Sequence, residues 1–189
     1  MIEQIVSRKI INGSFAMNFK TSWIVTLTLT AGMVAGASAQ APESSKQMSM
    51  TTKVAFVQNA AQGGLAEVEL SQLAATRGGS EDVKKFAARM VSEHTKNNAD
   101  LAWIAGSEGL TVPSELDADH LALKERLANT RGTEFDRLYV QTMRRDHTAM
   151  LHLLDGAKDI DDAKLKGFIA DTRPVVAMHL KMANELSGP

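Results

Sequence analysis

From Lys53 onward, apolar residues recur at alternating steps of four and three. The first run is Phe56, Ala60, Gly63, Glu67, Leu70 and Ala74; the second is Val83, Ala87, Met90, His94, Asn97, Leu101 and Ile104. A third reads Phe135, Tyr139, Met143, Asp146 or His147, Met150 and Leu154, and a fourth Leu165, Phe168, Thr172, Val175, His179, Met182 and Leu186. On a helix these spacings gather into one stripe. They predict four long amphipathic helices and no strand. A shorter helix is expected over Ser114–Asn129, with Leu116, His120 or Leu121, Leu123 and Leu127 on its apolar side. Each long helix carries one early Phe (Phe56, Phe86, Phe135, Phe168), and these should be buried.

The residues between the stripes fix the connections. Gly78-Gly79 ends the first helix, and Ser80 caps the second with Glu81 and Asp82 in its first turn. Gly109 and Pro113 close the second helix, the pair Ser114 and Asp117 resembles a capping box, and Thr133 is the expected cap of the fourth. Pro174 should kink the last helix, and Gly63-Gly64 is tolerable where another backbone comes close. Short connections make antiparallel hairpins. The predicted fold is therefore all-α: a four-helix bundle of two hairpins joined by a short helical crossover within Gly109–Gly132.

The front of the chain follows a different pattern. Lys20, the apolar run Trp23–Met33 and Ala37-Ser38-Ala39 have the order of a secretory signal with its cleavage site. The run is too short and too rich in Thr to span a membrane. Residues 1–39 are expected to be an N-terminal extension and signal peptide cleaved after Ala39, with Met17 rather than Met1 as its natural start. Residues 40–52 are polar and small, as in a flexible tether, and 53–186 form the bundle. This predicts a soluble periplasmic or secreted protein with no transmembrane segment in its mature form.

The chain has 21 Lys and Arg against 22 Asp and Glu and no Cys. The leader takes Arg8, Lys9 and Lys20 with Glu3 alone, so the remainder is more acidic. That excludes a general nucleic-acid binder. The lack of Cys excludes a disulfide framework and a lipid-anchoring cysteine.

One pattern occurs twice. Phe86-Ala87-Ala88-Arg89-Met90-Val91-Ser92-Glu93-His94-Thr95 returns as Tyr139-Val140-Gln141-Thr142-Met143-Arg144-Arg145-Asp146-His147-Thr148. Aromatic, Met and His share one face in each copy, with an acid just before the His. These stretches, with Gly64-Leu65-Ala66-Glu67-Val68-Glu69-Leu70, Glu134-Phe135-Asp136-Arg137-Leu138-Tyr139 and the late His179, resemble the secreted bacterial family known as domain of unknown function 4142, placed in the ferritin-like group. The resemblance implies a ferritin-like fold and secretion. It implies no activity, since the family has none established.

Glu67, His94, His147 and His179 lie on the apolar stripes of four different helices, and burying such groups singly costs several kcal/mol. They should meet one another or a ligand. Counting from the hairpin turns puts Glu67, His94 and His147 near one layer, and His179 a few turns away. Two readings are open. In one, these residues hold a transition metal (copper, zinc or iron), with Glu93 and Asp146 as secondary ligands or as partners that orient the imidazoles. In the other, they form a hydrogen-bonded cluster within a structural or interaction module of the cell envelope. The Glu-x-x-His motif of di-iron bundles is missing, so ferroxidase chemistry is not expected. Imidazole with Met90 and Met143 suits copper. No catalytic residue or nucleophile motif is assigned.

Overall fold

The computed structural model describes residues 41–188. The expected leader and its cleavage site fall on residues 1–40, outside the described residues. Five helices follow one another: α1 Ala41–Arg77, α2 Glu81–Ser107, α3 Ala118–Ala128, α4 Gly132–Gly156 and α5 Ala163–Leu186. Among the described residues there is no strand, and no helix is long and apolar enough to cross a membrane. The backbone is helical from Ala41, the first described residue, where the sequence suggested a tether over 40–52; that segment holds no Gly.

The first hairpin is built as its sequence suggests. Ser80 Oγ accepts from Val83 N at 3.2 Å. The connection is tied to α4 by Asp136, whose two carboxylate oxygens accept from Gly79 N (2.7 Å) and Ser80 N (2.8 Å). The crossover departs from expectation. α3 starts at Ala118, capped by Asp117, which accepts from His120 N at 2.9 Å. Ser114 and Glu115 stay outside the helix; the cap is Asp117, which also holds His120 Nδ1 with its second oxygen at 2.8 Å. Thr133 is not the cap of α4 either; Arg131 is, and Gly132, at φ 59°, opens that helix two residues earlier than a cap at Thr133 implies.

α1 packs along α2 and α4, and α5 along α4 and α2, while α3 lies against α1 and α4. The four early Phe residues are all buried. The apolar core forms two clusters. One holds Phe56, Val57, Leu101, Leu154, Leu165 and Val176; the other holds Leu70, Phe86, Met90, Phe135, Met143 and Ala183. α1 and α5 run from the first cluster to the second, and α2 and α4 run back. The buried polar residues Glu67, His94, His147 and His179 fall, on each helix, between its contributions to the two clusters.

Two further expectations are corrected. A Cβ at Gly63 or Gly64 would meet the side chains of Met150 and Asn98, so it is side chains, not another backbone, that fill the space there. Late in α5 the buried face runs Thr172, Val176, His179, Ala183 rather than through Val175 and Met182. A strict 4-3 stripe drifts around a straight helix of 3.6 residues per turn.

A buried triad of histidines as the candidate metal centre

Glu67 comes from α1, His94 from α2, His147 from α4 and His179 from α5. All four are between 0 % and 4 % exposed. The three imidazole rings pack mutually, with centroids 5.4 Å (His94–His147), 5.1 Å (His94–His179) and 5.4 Å (His147–His179) apart. His179 therefore belongs to the same layer, contrary to the count that placed it a few turns away. The reason is the α4–α5 connection. Residues 157–162 do not reverse the chain on the spot; Asp162, which starts α5, is tied by Lys53 Nζ (2.7 Å) near the start of the buried part of α1. Lys53 also reaches Glu108, just beyond α2, at 3.2 Å. α5 thus begins farther along the axis than α4 ends, and its longer descent brings His179 level.

Each ring has an outer partner that fixes its orientation. His147 Nδ1 donates to the Met143 carbonyl at 2.8 Å, with Glu67 Oε1 at 3.3 Å beside it. A carbonyl carries no proton, so Nδ1 is the protonated atom and Nε2 keeps its lone pair in the neutral ring. His179 Nε2 donates to Glu93 Oε2 at 2.8 Å, and Glu93 Oε1 in turn accepts from Arg89 Nε at 2.7 Å. His94 Nδ1 faces Glu67 Oε2 at 2.9 Å, close enough for an ion pair but not aligned as a hydrogen bond. On the inner side, His94 Nε2 and His179 Nδ1 are 3.2 Å apart. His147 Nε2 has no partner at all.

The electrostatics follow from this arrangement. Burial pushes the Glu67 carboxyl up, but the charge of His94, seconded by His147, more than reverses this and lowers its pKa to about 2. Burial lowers His94, yet the facing Glu67 carboxylate overrides it and leaves this ring raised. Burial lowers His147. Burial, reinforced by the charges of His94 and His147, brings His179 down to about 4. The cluster therefore favours one anion, Glu67, balanced by a proton on His94, with His147 and His179 both pushed towards the neutral form. His94 donates its inner N–H to the His179 Nδ1 lone pair.

One nitrogen from each of His94, His147 and His179 lies within 4.8 Å of the other two. Two imidazole nitrogens bound at ~2.0–2.1 Å to a tetrahedral ion stand about 3.3 Å apart, close to the 3.2 Å between His94 and His179. The donor set fits a borderline divalent ion: three imidazoles, each with a carboxylate oxygen beside its outer nitrogen, and one buried lone pair with nothing to accept. Glu67 stands behind two of the rings and is not in the convergent set. Glu93 takes the orienting place anticipated for it. Asp146 does not reach a ring: its Oδ1 accepts from Arg145 at 2.8 Å, and its Oδ2 is buried without a partner. His120 is held by Asp117 at 2.8 Å, away from the cluster. Tyr139, buried beside Phe86, shares a 2.8 Å hydrogen bond with Ser71. Sequence reasoning passed over Ser71, Asn97's contact with Thr172 (2.8 Å) and the Met143 carbonyl. Only the 4-3 position of Asn97 and Thr172 signalled the second of these.

The family model described as "Domain of unknown function (DUF4142)" matches residues 37–186, well over half of the chain. The chain belongs to this DUF4142 family. No curated protein matches it. Among solved structures, the DUF4142 chain is similar to the crystal structure of a DUF305 fragment from Deinococcus radiodurans, with 14 % identity and a TM-score of 0.65 over 72 % of this chain and 95 % of that one. At that identity the likeness concerns the helical fold alone.

Proposed function

We propose that this DUF4142 protein binds one transition-metal ion through His94, His147 and His179 at the centre of a ferritin-like four-helix bundle, and that it does so outside the cytoplasm. The single observation that carries the reading is His147 Nε2, a fully buried lone pair with no partner and two further imidazole nitrogens within 4.8 Å. An unsatisfied acceptor at that depth costs roughly 1–3 kcal/mol, and a bound cation would remove the cost. Three imidazoles suit zinc and copper better than calcium or magnesium. Binding requires the inner N–H of His94 to give up its proton, so uptake should release protons. The signal-like leader supports export. Nothing in the site argues for catalysis, and the role we assign is holding or buffering the ion.

Titration calorimetry of the chelator-treated protein with Zn(II) and Cu(II) tests this. One ion per chain is expected in the wild type, none in His94→Ala or His147→Ala, and an unchanged titration in His120→Ala. At free metal a hundredfold above Kd, binding should stabilise the fold by about 2.7 kcal/mol. A wild-type protein that takes up neither ion would leave the other reading, a hydrogen-bonded layer in a structural module. That reading is favoured by one fact: every ring nitrogen of the cluster except His147 Nε2 already faces a polar partner.

A further inference from the structure

An ion cannot reach rings that are 0–4 % exposed without a path. One large groove lies beside them, between α2 and α5, with a volume of about 770 Å³; Trp103 and Phe168 line its apolar part and Glu93 its near wall. A second space, of about 10 Å³, is bounded by Glu67 and His94 themselves. That is about the volume that holds a single water. Asn97, Phe168 and Thr172 line both spaces. Between them Thr172 Oγ1 donates to Asn97 Oδ1 at 2.8 Å. One turn before Asn97, the part-exposed Glu93 holds His179 with one oxygen and Arg89 with the other.

Building on the metal reading above, we infer that the α2–α5 groove is the access route to the histidine triad. The Asn97–Thr172 hydrogen bond is its latch, and Glu93 is the carboxylate that first meets the incoming divalent cation. The chemistry suits each part. A half-exposed carboxylate can take a hydrated cation from water, whereas a buried imidazole cannot. Arg89 neutralises Glu93 while the site waits. The latch joins two uncharged side chains across the seam and parts without stranding a charge.

The chain has no cysteine, so a single introduced thiol can be labelled selectively. Asp171 is exposed and lines the groove, while Gln72 is exposed on α1 and does not. Stopped-flow uptake of Zn(II) by the full apo chain is measured in Asp171→Cys and Gln72→Cys, each before and after a bulky maleimide, and in Thr172→Val. Equilibrium titration of every sample is run alongside. The label at position 171 should slow uptake at least about tenfold and leave equilibrium occupancy unchanged; the label at position 72 should do neither. Thr172→Val should speed uptake and release alike, by about fivefold, as expected for one lost hydrogen bond. Intact equilibrium binding with unchanged rates in the labelled Asp171→Cys chain or in Thr172→Val overturns the route while sparing the metal site. A wild type that binds no Zn(II) at equilibrium overturns both.

Discussion

Glu67→Gln removes the one anion of the buried layer and keeps its shape. In the wild type the Glu67 pKa falls from 4.5 to about 2 on folding, a difference worth about 3 kcal/mol at 1.36 kcal/mol per unit. The sign follows from the direction. A depressed carboxyl contributes stability that is present above its unfolded value near 4.5 and is lost as pH falls towards 2. His94 works oppositely. Its raised pKa contributes stability below its unfolded value near 6.5, lost as pH climbs through the folded one. Gln should erase both contributions, because an amide neither attracts nor needs the imidazolium. We expect apo Glu67→Gln to be less stable than apo wild type by about 3 kcal/mol at pH 5.5, roughly 6–12 °C in Tm for a domain of this size. The gap should close towards pH 2, and the share of it owed to His94 should fade as pH climbs through that ring's raised folded pKa. Urea melts at half-unit pH steps, with chelator present throughout, give the difference curve directly. A pH-independent difference would refute the ion pair and mark the loss as one of packing.

Two further outcomes are expected. Gly79→Ala should cost more than Gly64→Ala, because an added Cβ at Gly79 comes within 2.8–2.9 Å of the Gly132 backbone, while at Gly64 it runs into Asn98 Oδ1, the end of a side chain that can turn away; thermal melts should show a clear loss for Gly79→Ala and a change within about 1 kcal/mol for Gly64→Ala. Asp162→Ala removes both the cap of α5, which accepts from Lys164 N and Leu165 N, and the partner of Lys53. It should destabilise by about 1–2 kcal/mol at neutral pH. Since this carboxyl is held below its ordinary value chiefly by Lys53, the loss should fade as pH falls below about 4.

The helices were legible because α2, α4 and the early part of α5 each bury one narrow stripe, and a stripe repeats in sequence. Val83, Met90, His94 and Leu101 need no tertiary knowledge to be placed inward together. The doubled Met-x-x-acid-His pattern likewise pointed His94 and His147 into one core. Relative height was illegible. It depends on how far residues 157–162 carry the chain before α5 starts, and nothing local encodes that; Lys53 and Asp162 are far apart in sequence. Caps were only partly legible, since Ser114 and Asp117 are about equally good capping residues. The role of Glu93 was half-visible: its place before His94 was plain, but its partner proved to be His179 on another helix.

The polar layer splits the hydrocarbon core into two blocks that scarcely share side chains. Opening can therefore begin at either end of the molecule and stop at the layer, so native-state hydrogen exchange should resolve two cooperative units rather than one. Amides around Phe56 and Leu165 would exchange together, and those around Phe86 and Phe135 as a separate set. An ion held by His94, His147 and His179 would sit at the joint between the blocks, and fraying at one end would then have to break bonds that also belong to the other. Loading the centre should merge the two exchange classes into one, turning a pair of weakly joined half-cores into a single all-or-none body.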